Sequence, residues 1–353
     1  MSTESLDSPP DLQACVALMK GGSRTFFAAS RLLPPRVRAA AIALYAFCRV
    51  ADDLVDEARP GDDRPLQVLT QRLDRIYAGI PEDHVEDHAL SLVVQQYGLP
   101  RHLLEALIEG FAWDAGGRAY DTLEEVQAYG ARVAGSVGAM MCWIMGPRDA
   151  PTLARACELG VAMQLTNIAR DVGADARLGR IYLPGQWLRE AGIDAKAWLS
   201  APHFDAALGR VIERLLQEAD RLYAAGQTGI AALPPDCRAA ILAASLIYAE
   251  IGHQLRREGL NAVDQRTVVS TGRKLVLLAG AWTQAHFIYV PARNRPPLAA
   301  IQGLVEGCMA STPHPPTGTG WFPNRAMPQR VAWMLELFER REHERLGRQL
   351  RSR

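Results

Sequence analysis

The stretch "AMQLTNIARDVGADARLGRIYLP", residues 162–184, spaces its apolar residues at helical period and its polar ones likewise. Asn167, Asp171 and Asp175 stand at i, i+4 and i+8, and Gln164 comes three residues before the first, so amides and carboxylates share one helical face. The acids approach a C-terminal end marked by Gly179, where the helix dipole disfavours negative charge by a few tenths to about 1 kcal/mol. Two readings are open. The face is either a solvated stripe paired with Arg170 and Arg177, or a ligand set whose cation compensates the misplaced charge.

The stretch "ALYAFCRVADDLVDEARP", residues 43–60, repeats the oddity. Pro34 and Pro35 suit a helix start, Arg59-Pro60 stops it, and Asp52, Asp53 and Asp56 fall in its last turns. Tyr45, Arg49, Asp52 and Asp56, at i, i+4, i+7 and i+11, form one polar ridge, and Asp52 and Asp56 repel each other. Ligands made of oxygen alone suit a hard cation such as Mg²⁺, which keeps several waters and takes a few carboxylates plus substrate phosphate. Two acidic helix ends facing each other would therefore hold a diphosphate through bridging metals. The alternative is Arg49 stapling a structural acid. If the acids hold a cation and not the fold, Asp52→Asn and Asp171→Asn are both expected to leave stability unchanged or slightly raised.

Helical spacing recurs along almost the whole chain and β-branched alternation is missing, so the sequence predicts an all-α protein. Helices are expected at about 11–20, 23–31, 35–57, 65–78, 86–97, 101–114, 122–145, 151–177, 204–230, 236–258 and 264–290. The Pro/Gly/Thr-rich "STPHPPTGTGWFPN" at 311–324 precedes one amphipathic helix, which suggests a domain over 1–295 with 296–353 appended to it. The 353 residues carry 39 acids against 39 bases, and no basic, aromatic-interleaved patch appears, so a nucleic-acid partner is excluded. Six scattered cysteines without CxxC pairs, and an N-terminus with neither basic nor apolar region, suggest a reduced, cytoplasmic protein. The run "KLVLLAGAWTQAHFIYV" at 274–290 is broken by Thr283, Gln284 and His286 and reads as a buried helix. Gly130, Ala134 and Gly138 form one small-residue stripe and Ala131, Gly135 and Ala139 another, fitting both close helix packing and the wall of an apolar tunnel.

"YAFCRVADDLVDE" and "QLTNIARDVGADARLGRIYLP" resemble the two signature regions of the squalene and phytoene synthase family, and the likeness extends over roughly residues 15 to 290. The family's DxxxD pattern falls on Asp52 and Asp56, and its NxxxDxxxD pattern on Asn167, Asp171 and Asp175. The resemblance implies an isoprenoid-synthase-like helical bundle with a central apolar cavity, joining two prenyl diphosphates head to head. It implies that those five residues bind two or more Mg²⁺ or Mn²⁺ ions bridging diphosphate, and that Tyr45, Arg49, Tyr129 and Tyr248 act on the reacting groups. "GGSRTFFAASRLLP" resembles the family's phosphate-contacting segment, with Ser23, Arg24, Thr25 and Phe26 at matching positions, and Gln164, Arg170, Arg266 and Lys274 are implied substrate contacts. Ala134 and Gly138 are expected to leave space for prenyl tails. The chemistry implied is ionisation, a cyclopropyl diphosphate intermediate, a second ionisation and proton loss. "GRIYLP" and the overall pattern look most like the bacterial phytoene synthase branch, which implies two molecules of geranylgeranyl diphosphate and no NADPH. A C30 dehydrosqualene or squalene synthase using farnesyl diphosphate is the alternative, and a noncatalytic lipid-binding or assembly factor a remote one. A peripheral membrane contact for product release and contact with downstream carotenoid enzymes are compatible with this reading.

Overall fold

The computed structural model describes residues 10–22, 29–58, 62–285 and 296–311. The described chain runs through α1 (Pro10–Gly22), α2 (Pro35–Asp56), α3 (Arg64–Tyr77), α4 (Val85–Tyr97), α5 (Arg101–Ala115), α6 (Leu123–Gly130) and α7 (Ser136–Met145). It continues through α8 (Ala150–Arg177), α9 (Gly185–Glu190), α10 (Ala195–Ser200), α11 (Ala206–Thr228), α12 (Pro235–Arg257), α13 (Thr271–Ala285) and α14 (Gln302–Ala310). No strand occurs among the described residues. The fold is the all-α bundle the spacing predicts.

Each boundary has a local cause. Pro34 and Pro35 open α2, where a missing N–H costs nothing. Thr122 and Glu125 form a capping box at the start of α6, and Asp149 accepts from Thr152 N at the start of α8. Between α6 and α7 the helix does not continue uniformly: Ala131–Gly135 is a π turn, with Ser136 N–H donating to Ala131 O. A single helix over 122–145 is therefore corrected to two α-helices offset by one extra residue.

The 28-residue α8 is the axis of the bundle, packing most extensively on α11 and then on α7, the π turn and α12. Its approach to the π turn and α7 depends on glycine. A Cβ on Gly160 would stand 2.2 Å from Ala134 O, and one on Gly138 2.2 Å from Ala156 O, far inside any contact distance. The two small-residue stripes thus serve close packing. Elsewhere Arg72, buried between α3 and α4, is held by Glu86 and Asp87, with contacts of 2.6 to 2.8 Å. Trp143 fills the core and donates to the carbonyls of Tyr97 and Gly98 at 3.0 Å. All six cysteines are free.

Other segments differ from the expected helices, and the short α9 and α10 fall between 177 and 204, where none was expected. Residues 264–270 lie outside any helix, because Asn261 Oδ1 accepts from the N–H groups of Val263 (3.2 Å) and Asp264 (3.1 Å) and turns the chain before α13 begins at Thr271. The sequence also gave no sign of α14, whose segment packs on α5 and α8; there Leu298 N donates to Glu158 Oε1 at 3.0 Å and His102 Nε2 lies 3.0 Å from Leu304 O. The helix expected over 23–31 falls mostly on residues outside the described ones, as does the C-terminal amphipathic helix.

Candidate active site

A cavity of about 570 Å³ runs beside α8 and is walled by α2, α7 and α12. On α8 its lining residues Thr152, Ala156, Leu159, Met163 and Asn167 fall at i, i+4, i+7, i+11 and i+15, one unbroken stripe along the helix. Its head is polar, with Tyr45, Arg49, Asp52, Asp114, Tyr129, Gln164, Asn167 and Tyr248. Its far end is apolar, with Met145, Ile230 and Leu233.

The two acidic helix ends meet around this head. Arg180, just past α8, donates to Asp56 Oδ1 at the end of α2 at 3.0 Å. Gly173 makes room for the loop that follows α12: its N–H donates to Ala262 O at 3.0 Å, and a Cβ would stand 2.2 Å from Val263 O. The docked loop brings Arg266 onto Asp171, with bonds of 2.8 and 3.2 Å, opposite Arg170, whose Nε donates to the same carboxylate at 2.8 Å. On α2, Arg49 pairs with Asp53 and stands 3.6 Å from Asp52.

Charge is unevenly compensated. Asp171 is held below the usual carboxylate range, its two arginines outweighing burial. Asp52 is pushed up to about 6, by burial first and Asp56 next, and Asp175 to about 7, by burial and then Asp171. Burial also raises Asp114, against hydrogen bonds from Tyr182 and Tyr129. The head thus holds a group of carboxylates that its arginines only partly neutralise.

The structure brings most of the residues singled out in the sequence to this place. Ala134 and Gly138 line the cavity with Tyr45, Arg49, Asp52, Tyr129, Gln164, Asn167 and Tyr248. Asp56, Asp171, Asp175, Arg170 and Arg266 stand beside the head without lining the cavity. Lys274 sits on α13, which packs on α12, and does not line the cavity. Ser23, Arg24, Thr25 and Phe26 lie outside the described residues. Sequence reasoning missed Asp114, Tyr182 and Arg180. Asp114 has no acid or amide at i±4 to flag it, since Gly110 and Arg118 occupy those positions, and only the tertiary fold carries it to the motifs.

The donors suit a hard divalent cation. All are oxygens, Asn167 Oδ1 is buried without a hydrogen-bond partner, and Asp52 and Asp175 have too little positive charge near them. Among the described residues no three carboxylate, imidazole or thiol groups converge on one point. Such a dispersed set fits Mg²⁺, which takes one or two carboxylates and completes its shell with water and phosphate.

Residues 19–274 match the family model of squalene/phytoene synthase. The chain belongs to the squalene/phytoene synthase family. It is 48% identical over 311 residues to the phytoene synthase of Rhodobacter capsulatus, covering 86% of this chain and 92% of that one. It is 51% identical over 284 residues to the phytoene synthase of Cereibacter sphaeroides, covering 78% and 80%. Among solved structures it is similar to a dehydrosqualene synthase, with a TM-score of 0.73 and 31% identity over 79% of this chain and 97% of that one. A squalene synthase from Alicyclobacillus acidocaldarius follows, with a TM-score of 0.66 and 28% identity over 71% and 95%. The protein is a prenyltransferase of this family, and the bundle is the family's fold.

Proposed function

We infer that the protein is a phytoene synthase, condensing two molecules of geranylgeranyl diphosphate head to head. One arrangement carries the reading: two acid-bearing helix ends open on the head of a single long apolar cavity, in a chain about half identical to phytoene synthases. A diphosphate belongs at the acids and a prenyl tail in the cavity.

Asp52, Asp56, Asn167, Asp171 and Asp175 hold Mg²⁺ or Mn²⁺, and bound metal supplies charge neutralisation for a departing diphosphate. Arg49, Arg170, Arg180 and Arg266, which neutralise acids in the free protein, exchange these partners for phosphate oxygens. Apolar walls keep water from the allylic cation, and Tyr45, Tyr129 and Tyr248 border it with electron-rich rings. Attack by the second substrate's double bond gives a tertiary cation, which closes to a cyclopropyl diphosphate as the carbon bearing the second diphosphate loses a proton; ionisation of that intermediate, rearrangement and a second proton loss give a symmetric C40 hydrocarbon. No hydride enters. The product has no polar group, so its release calls for a lipid surface or a downstream enzyme of carotenoid synthesis. Among the described residues no helix is long and apolar enough to cross a membrane.

Purified protein incubated with geranylgeranyl diphosphate and Mg²⁺ should form phytoene at the same rate with and without NADPH. A reduced C30 hydrocarbon formed from farnesyl diphosphate only with NADPH would overturn the assignment.

A further inference from the structure

One wall of the cavity departs from helical period. Its lining residues on the stretch from α6 to α7 include Tyr129, Val133, Val137, Met141 and Met145, spaced by four throughout. At about 100° per residue, a regular α-helix would turn Met141 about 120° and Met145 about 160° away from Tyr129. The π turn at Ala131–Gly135 absorbs one residue, which brings those angles to about 20° and about 60° and leaves the head and the tail wall on one face. Two side chains hold the extra residue in place. Ser136 N–H is spent on Ala131 O, five residues back, and the Ser136 hydroxyl donates to Arg132 O at 2.5 Å in its stead. Arg132 Nη1 donates to Ala128 O at 3.2 Å, while its guanidinium pairs with Glu109 at 2.9 Å and stacks over Trp113 at 4.1 Å, both on α5. Ser136 is fully buried and does not line the cavity. α5 also makes room for the turn, since a Cβ on Gly110 would stand 2.5 Å from Val133 Cγ1.

We propose that Ser136 and Arg132 are positioning residues for the reaction, pinning the π turn so that a substrate with its diphosphate at the acids lays its tail along the helix face that also borders its reacting carbon. This rests on the proposed head-to-head reaction. A π turn left unpinned slides along its helix, and each residue that it passes turns by about 100°. Neither flank can follow as a whole. Gly138 and Gly160 lock α7 onto α8, and the capping box of Thr122 and Glu125 fixes the start of α6. Movement of the turn therefore falls on the residues between, among them Tyr129, Val133, Ala134 and Val137, which line the passage from the head to the tunnel. The acids of the two motifs lie on α2 and α8, outside this stretch, and keep their geometry.

The test measures how the full chain with Mg²⁺ binds two probes. Inorganic pyrophosphate occupies the head alone, whereas a C20 thiolodiphosphate, whose C–S bond resists ionisation, also fills the cavity with its tail. Ser136→Ala should weaken binding of the C20 probe by about tenfold or more and that of pyrophosphate by less than about threefold. Deleting Ala131 from the Ser136→Ala chain removes the extra residue, returns a regular helix with both flanks in phase, and should restore the wild-type ratio. Ser91→Ala removes a bond of the same kind, from a buried serine on α4 to Ile76 O, away from the cavity. It controls for general loosening and should leave the ratio of the two affinities as in wild type. If Ser136→Ala fails to fold, Arg132→Met carries the same comparison. Equal weakening of both probes in folded variants, or weakening of neither, would overturn the proposal. Wild type that binds pyrophosphate but not the C20 probe would overturn the head-to-head reading and the proposal with it, an outcome seen before any variant is made.

Discussion

Asp52 and Asp171 carry the same side chain near the C-terminal ends of two helices, yet their surroundings give them opposite energetic signs. Asp171 accepts from Arg170 and Arg266, so its charge stabilises the fold, whereas Asp52 faces Asp56 and a single arginine at 3.6 Å. Asp171→Asn should lower stability by about 1 kcal/mol in metal-free protein, and Asp52→Asn should leave it unchanged or raise it, as urea midpoints would measure. The sequence-based expectation that both would be neutral or stabilising is thus corrected for Asp171. A pH dependence follows from the same residues. Asp52 and Asp175, raised to about 6 and about 7 from 3.8, hold protons that the unfolded chain has released. Their contribution is present below about pH 4 and is lost as pH rises through about 6 to 7. Metal-free protein should therefore lose on the order of 1 to 2 kcal/mol across that window, and Asp175→Asn or saturating Mg²⁺ should flatten the loss. Asp171, held low, works in the opposite sense and loses its contribution only as pH falls below about 4. A steeper loss in Asp175→Asn than in wild type would contradict this assignment.

At the scale of elements, the crossing of α7 with α8 couples packing to the cavity wall. Gly138 lines the cavity and also lets the backbone of α8 approach, so the small-residue stripe serves both purposes. Substituting Gly138→Leu to fill the tunnel would first force the helices apart. Gly160→Ala is the cleaner probe of the crossing: its added methyl meets Ala134 O at 2.2 Å with only backbone there to yield. It should cost about 1 to 3 kcal/mol by denaturant titration, and a stability within about 0.5 kcal/mol of wild type would show that the crossing opens freely. The π turn at Ala131–Gly135 stands between Tyr129 at the head and Gly138 further down, and its extra residue shifts the face that α7 turns to the cavity relative to that of α6.

Over the whole molecule, the cavity's length bears on which substrate fits. Its stripe on α8 runs from Asn167 to Thr152, about 22 Å at 1.5 Å per residue. From carbon–carbon bonds of about 1.5 Å, an extended prenyl chain spans roughly 5 Å per unit, so a C20 tail needs about 20 Å and a C15 tail about 15 Å. Met145, at the end of α7, lines the far end, at a depth that the C20 length spans and the C15 length does not. Met145→Phe should therefore depress C40 synthesis more than C30 synthesis, by roughly five- to two-hundredfold in relative rate if the clash costs about 1 to 3 kcal/mol. Competition between C15 and C20 diphosphates would read this directly. Equal losses with both, in a folded variant, would show that the tail does not reach Met145.

Period and spacing alone determined that the chain is helical, where most helices begin and end, and that Asp52, Asp56, Asn167, Asp171 and Asp175 share helix faces, because these are local consequences of backbone geometry and side-chain chemistry. The π turn was not legible, since one extra residue leaves the apolar pattern nearly intact. The loop over 264–270 was read as helix because its contacts, Arg266 to Asp171 and the backbone against Gly173, lie some ninety residues away along the chain. The partners of each acid, and hence whether its charge stabilises or strains the fold, were decided only by tertiary structure. So was Asp114, which no motif marks: a carboxylate becomes part of this site by the helix that carries it there and the two phenols that close on it.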